Sequence, residues 1–234
     1  RHNSLYSLSN NFFIKFIFSF LLNVYYTISK KKEKAFNLPE KNDNMRRVYA
    51  YLLSRRGISR DVINAFARKQ MIYESLPHHN AVFVGYDTNG VARHAHKRGT
   101  GSQSTYKGNA DGSLPEYSFH WNGMSNRVFL FEAPIDMLSY ITMNPNGWQQ
   151  NTYAASCSVA DRVLFQCLKD NPNLTEVYLC FDSDTAGQSA AKRISDKLFA
   201  QGYKSEILVP AKKDWNEDLI MQKEGEQAWT EQSY

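Results

Sequence analysis

A chain of 234 residues, 42% hydrophobic and 22% charged, is long enough to bury a real core and too ordinary in composition for a disordered, fibrous or small disulfide-stapled class. Its 28 Lys and Arg against 23 Asp and Glu leave a formal charge of +5, which permits a polyanionic partner without requiring one. The three cysteines, Cys157, Cys167 and Cys180, are odd in number and form no Cys-x-x-Cys pair; neither a zinc ribbon nor a disulfide framework follows, and reduced, buried thiols in a cytoplasmic protein are expected.

The chain begins with Arg1 instead of Met, so residues 1–37 are expected to be a truncated or poorly ordered segment. Its apolar run, residues 12–28, is about the minimum for a bilayer span and is interrupted by Lys15 and Asn23. A buried helix is expected there in preference to a membrane anchor; if the run did insert, Lys30, Lys31, Lys32 and Lys34 would mark its cytoplasmic side. The polar stretch 38–44 reads as a linker.

Residues 45–125 read as a small basic α+β domain. Val48, Tyr51 and Leu52 recur at helical spacing, Gly57 breaks the run, and Ser59 is placed to cap a second helix carrying Val62, Ile63 and Phe66. Arg46, Arg47, Arg55, Arg56, Arg60, Arg68 and Lys69 face one acid, Asp61, which suits a phosphate backbone. Asp87-Thr88-Asn89-Gly90 between two apolar runs predicts a hairpin. The Gly-, Ser- and Asn-rich stretch 98–113 predicts a flexible basic loop, with His94 and His96 before it read as solvent-facing strand residues rather than metal ligands.

Residues 126–225 change pattern. Strands are predicted over 128–131, 152–156, 177–181 and 205–209, alternating with helices over 134–143, 159–169 and 186–200, and a final helix from about Asn216. Short apolar strands alternating with amphipathic helices make an α/β fold with a mostly parallel, four-stranded sheet covered on both faces. Residues 226–234 remain as a tail. Acidic residues follow three of the strands: Glu132, then Asp182 and Asp184, then Asp214. Ligands of open α/β sheets bind beyond the carboxyl ends of strands, so these carboxylates can meet at one place. Asp182 and Asp184 are two apart, and if they continue the strand they aim together. Converging carboxylates call for a cation, and magnesium favours carboxylate oxygen, water and phosphate. An EF-hand loop fails because its twelfth position is Arg193, and no phosphate loop exists because no Gly-Lys-Ser or Gly-Lys-Thr occurs.

In combination these motifs resemble the toprim domain shared by bacterial primases, topoisomerases and some nucleases. Glu132 and Asp136 match the Glu after the first strand and the Asp four residues on in DnaG-type primases; Asp182, Asp184 and Gly187 match Asp-x-Asp-x-x-Gly; Lys213-Asp214-Trp215-Asn216 resembles the next primase element. Ala133 and Asn216 depart from the Gly and Asp usual there. Upstream, the run from Arg56 to Phe66 resembles the segment opening the primase polymerase region, and the combination is similar to primase-like toprim proteins of plasmids and conjugative elements. The resemblance implies a Rossmann-like toprim fold and Mg- or Mn-dependent nucleotidyl transfer on DNA, in replication or transfer of a mobile element. It implies Glu132, Asp182 and Asp184 as catalytic metal ligands, with Asp136, Asp214 and Asn216 serving a second ion, and Lys213 on a nucleotide phosphate. Arg55, Arg56, Lys97, Arg98 and Lys107 would guide single-stranded DNA. A toprim nuclease or a catalytically weak DNA-binding accessory protein carries the same residues. A helicase or relaxase is the implied protein partner, and the zinc finger that usually precedes this region in such proteins is absent from the visible chain.

Overall fold

The computed structural model describes residues 35–157 and 161–232, so the apolar run 12–28 lies outside the described residues. Among those described, no helix is long and apolar enough to cross a membrane.

The polar stretch expected as a linker is fastened to the first strand. Lys41 bridges Ser75, the Asn42 amide donates to the Glu74 carbonyl at 2.8 Å, and the Leu76 amide donates to Glu40 at 2.8 Å. Helix α1 (Arg46–Ala50) runs on as a π-helical turn over Tyr51–Arg55, and α2 (Arg60–Arg68) follows. Ser59 caps α2 as predicted, its hydroxyl accepting from the Val62 amide at 3.3 Å. Gly57 between them has φ +68°, a conformation that side chains with a Cβ resist. Four antiparallel strands come next, β1 (Ile72–Glu74), β2 (Ala81–Tyr86), β3 (Ala92–Arg98) and β4 (Lys107–Asn109), in that order across the sheet. The predicted hairpin joins β2 to β3. Part of the expected loop is strand β4, because Lys107, Gly108 and Asn109 pair through their backbones with Arg98, Lys97 and His96, and composition carries no sign of such long-range pairing.

The N-terminus of α1 lacks a cap of its own and borrows one from β1. Glu74, 1% exposed, accepts from the Arg47 and Val48 amides at 3.0 and 3.3 Å, from Asn42 Nδ2 at 2.9 Å, and faces His79 Nδ1 at 2.6 Å. Burial alone would raise this carboxyl, but the hydrogen bonds, led by His79, hold it below its ordinary 4.5. Replacing Glu74 by Gln puts an amino group among donors and is expected to cost about 1–3 kcal/mol, the size of leaving buried donors unsatisfied. Because the folded carboxyl is the stronger acid, the deficit of Glu74→Gln is full above about pH 4.5 and closes as pH falls through the depressed value. Urea midpoints across that range measure it, and a deficit independent of pH would contradict this account.

The second sheet has five strands in the order β5-β7-β6-β8-β9. Its parallel members are β6 (Arg127–Phe131), β7 (Thr152–Ala155), β8 (Glu176–Cys180) and β9 (Lys204–Ile207), the four predicted; the short β5 (His120–Trp121) adds an antiparallel edge beside β7. The helices are α3 (Pro134–Met143), α4 (Arg162–Asp170), α5 (Thr185–Ala200) and α6 (Trp215–Gln232), the last running well into the expected tail.

Alternation along β6 shows how both faces are buried. Val128 and Leu130 pack with Val163, Leu164 and Leu168 of α4 and Ile194 and Leu198 of α5. Phe129 and Phe131 belong to the opposite core, with Leu138 and Ile141 of α3, Leu219 of α6, and Val48, Leu52, Ile63 and Phe66 of the N-terminal helices. Phe66 lies 5.1 Å from Trp121 and 5.6 Å from Trp148 between ring centroids. The N-terminal helices are thus packed into the core beneath the parallel sheet, which sets Arg56 beside its strand ends. Both His94 and His96 are buried, against the expectation of solvent-facing residues, because their face of β3 is covered; the His96 ring lies 6.4 Å from that of Phe83, a core residue. Burial pushes the His94 imidazole down to about 4.

Candidate active site

The chain passes from β6 to β7 on one side and returns to β8 on the other, so strand order reverses between β6 and β8, the place where open α/β sheets bind ligands. Phe131 and Cys180 are register partners, and Glu132 and Asp182 follow at these neighbouring strand ends. A cleft of ≈ 480 Å³ opens there. Glu132, Asp136, Asp182 and Asp214 line it, and so do Arg56, Arg98, Lys107 and Lys213. Four carboxylates from the parallel sheet therefore share a cleft with four cations, of which Lys213 follows β9 and the others come from the N-terminal region.

Backbone contacts hold the acidic residues in place. The Glu132 carbonyl accepts from the Cys157 amide at 3.0 Å and Ser156 Oγ at 3.2 Å. The loop carrying Asp182 is tied to the loop carrying Asp214, with Ser183 donating its amide and hydroxyl to the Lys213 carbonyl at 2.9 and 3.2 Å. Asp218 secures the second loop by accepting from the Ala211 and Lys212 amides at 2.8 and 2.7 Å. Trp215 Nε1 donates to the Cys180 carbonyl at 3.0 Å, joining the start of α6 to the end of β8.

The carboxylates repel one another. Burial, then Glu132, Asp214 and Asp184, push the Asp182 carboxyl up to about 6. Glu132 is raised by burial and by Asp184, against the pull of Lys107 and Lys213. Asp136, 7% exposed in the first turn of α3, is raised well above the ordinary range by burial, then by Asp214 and Asp182.

Asp184 does not line the cleft. It is exposed and caps α5, its Oδ1 accepting from the Gly187 amide at 2.8 Å. The strand ends at Cys180, so Asp182 and Asp184 lie in a loop and at a helix cap, and the alternation argued from a continued strand does not reach them. Asp214 caps α6 through Oδ1, which accepts from the Glu217 amide at 2.8 Å. Asn216 is 4% exposed and hydrogen-bonded inside the protein: Oδ1 accepts from Arg56 Nη1 at 3.0 Å, and Nδ2 donates to the Arg56 carbonyl at 2.8 Å and to Ser139 Oγ at 2.9 Å.

Of the basic residues expected to meet DNA, Arg56, Arg98 and Lys107 line the cleft, whereas Arg55 and Lys97 do not. Arg55 Nη1 donates to the Gly101 carbonyl at 2.8 Å, and Lys97 Nζ sits 5.7 Å from the Tyr106 ring. Tyr51 was legible only as a core residue, yet its hydroxyl accepts from Arg56 Nε at 2.9 Å and Arg98 Nε at 3.4 Å, fixing both guanidinium groups. His96, Asn109 and Cys157 also line the cleft without any signal in sequence, since β3, β4 and the segment after β7 reach it only through folding. His96 Nδ1 lies 2.7 Å from Asn109 Oδ1.

Among the described residues no three His, Cys, Asp or Glu side chains already form a metal cage. The donors nevertheless suit a hard cation. Asp182 Oδ1 is buried without a hydrogen-bond partner, and burial, then neighbouring carboxylates, raise both Asp182 and Glu132. Oxygen-only donors of this kind favour magnesium or manganese over softer metals.

Residues 129–219 match the family described as Toprim-like, and residues 50–125 match a family described as a protein of unknown function. An uncharacterized protein of Bacillus anthracis is 24% identical over 194 residues, 74% of this chain and 56% of that protein. The chain spans about half the length of the curated relatives it matches. The primase fragment of the bacteriophage T7 primase-helicase protein aligns with TM-score 0.56 at 19% identity, over 78% of this chain and 73% of that one. The E. coli primase catalytic core aligns with TM-score 0.53 at 18% identity, over 80% and 71%. With carboxylates at the ends of β6, β8 and β9 of a parallel sheet, residues 129–219 form a toprim-like domain, and the chain shares the fold of DnaG-type primase catalytic cores.

Proposed function

We propose that this cleft carries out primase-like nucleotidyl transfer on DNA, in the replication or transfer of a mobile element. The observation that carries the reading is that carboxylates and basic side chains line one cleft at the strand-order reversal. The carboxylates suit a divalent cation and the basic side chains a phosphate, and nucleotidyl transfer needs both at the same point. Glu132, Asp136, Asp182 and Asp214, which line the cleft, with Asp184 nearby, are the residues that would hold magnesium or manganese. When bound, such an ion polarises a phosphoryl oxygen and offsets charge developing during in-line displacement.

The chain's own residues do the rest. Arg56, Arg98 and Lys107, which line the same cleft, bind and orient phosphate oxygens. Lys213 meets the nucleotide phosphate. Arg55 and Lys97, outside the cleft, guide single-stranded DNA towards it by backbone contact. A helicase or relaxase working in the cytoplasm is the protein partner this role calls for.

Purified protein incubated with single-stranded DNA, labelled nucleoside triphosphates and magnesium or manganese is expected to make template-dependent oligoribonucleotides. Cleavage of the strand without triphosphates would replace this reading by a nuclease. Tight binding with neither product would leave a DNA-binding accessory protein and overturn both enzymatic readings.

A further inference from the structure

We propose that Asn216 is a positioning residue that holds the Arg56 guanidinium over the cleft as an uncompensated cation for a phosphate oxyanion, and that it is not a ligand to metal. The inference rests on the reading that the cleft takes phosphate.

All of the amide's hydrogen-bonding capacity, apart from one oxygen lone pair, is spent on its neighbours. Arg56 Nη1 is a donor only and the Arg56 carbonyl an acceptor only, so the amide can stand in one orientation, Oδ1 towards the guanidinium and Nδ2 towards the carbonyl at 2.8 Å. The second Nδ2 hydrogen goes to Ser139 Oγ at 2.9 Å, whose own hydrogen is committed to the Ile135 carbonyl at 2.8 Å. Asn216 therefore grips Arg56 at both main chain and side chain and is itself anchored on α3.

The guanidinium is held at a second point by Tyr51, through Nε at 2.9 Å and with the ring 5.3 Å away. Two donors are thereby used, and the Nη2 amino group has no partner among the described residues. Nor does any carboxylate pair with Arg56 among those residues. Both clamps are neutral, so the full charge stays available to an anion in the cleft that Arg56 lines.

An Asp at this position would undo the arrangement twice. Its charge would neutralise Arg56, and its second oxygen would face the Arg56 carbonyl and a serine hydroxyl with no hydrogen left to give. Asn is the residue that fixes the cation without pairing with it.

The test is equilibrium binding of the full chain, in EDTA, to ATP and to a short oligothymidylate, with manganese binding measured separately. Asn216→Asp is expected to weaken phosphate binding about tenfold, the worth of one charge-assisted hydrogen bond. Arg56→Lys is expected to do the same, and the double variant to bind no worse than the weaker single one, because both changes remove one contact. A loss confined to ATP identifies the oxyanion as a nucleotide phosphate, and a loss confined to the oligonucleotide identifies it as the DNA backbone. Manganese affinity is expected to be equal in wild type and Asn216→Ala. If Asn216→Ala does not fold, Ser139→Ala, which frees one end of the amide, is expected to weaken phosphate binding to a lesser degree. Unchanged phosphate binding in Asn216→Asp, or manganese binding lost in Asn216→Ala, overturns the inference alone. Wild-type protein that binds neither ATP nor oligonucleotide overturns the phosphate reading of the cleft as well.

Discussion

Asp182→Asn is expected to abolish site-specific manganese binding and to lower metal-dependent product formation on the order of a hundredfold to a thousandfold, the cost of deleting one group from a preorganised electrostatic site. The substitution keeps shape and removes charge. Asp182 is the carboxylate with a buried, unpartnered oxygen, and it lies where Glu132, Asp214 and Asp184 all act on it. Affinity for single-stranded DNA is expected to stay level or tighten slightly, because phosphate contact belongs to the basic side chains and a nearby negative charge is gone. Calorimetric titration of manganese beside the primer-synthesis assay measures both; equal activity in the variant would remove Asp182 from the mechanism.

The same substitution is expected to stabilise the metal-free fold. Folding raises the Asp182 carboxyl from an ordinary 3.8 to about 6, so the folded protein holds its proton more tightly than the unfolded chain does. Stability from that proton is present at low pH and is lost as pH rises through about 6. Metal-free Asp182→Asn should therefore melt above wild type at neutral pH, with the gap shrinking towards pH 4 as the wild-type carboxyl protonates in both states. A gap of this sign marks a site whose repulsion is kept for function.

Gly187→Ala is the second large effect. A Cβ at Gly187 would stand 2.4 Å from the Asp182 carbonyl oxygen and 3.1 Å from its backbone carbon and nitrogen. Those are main-chain atoms in a loop tied to Lys213, so the clash cannot be relieved by a rotamer change. Overpacking of this kind costs about 1–3 kcal/mol and here would displace Asp182 itself, so manganese binding is expected to fall along with the thermal midpoint. Gly225→Ala is the control: it lies within α6 with nothing within 4 Å of the added carbon, and is expected to stabilise by about 1 kcal/mol. Normal metal binding in Gly187→Ala would show that Asp182 does not depend on this close approach.

The parallel half of the fold was legible because its signals are local. The predicted strand ending at Phe131 and the helix over 134–143 match β6 and α3, since apolar runs and a proline at a helix start act over a few residues. Glu132, Asp182 and Asp214 meet in one cleft for the reason anticipated, that parallel strands end on the same edge. Asp184 instead caps α5. Side-chain alternation needs a strand, and the strand stops at Cys180.

What the sequence alone determined is the order of elements in the parallel half, the toprim resemblance and the acidic cluster at its strand ends, all consequences of periodicity and of residues close in the chain. Only the tertiary structure decided how the basic side chains reach the cleft. Tyr51 meets Arg98 across 47 positions, and Asn216 meets Arg56 across 160. Pairings over such separations leave no local periodicity; they arise when Phe66 and its neighbours bury themselves against the face of the parallel sheet that carries Phe129 and Phe131. That shared core set the cations in one cleft with the carboxylates, and it brought Asn216 into hydrogen bonds with Arg56.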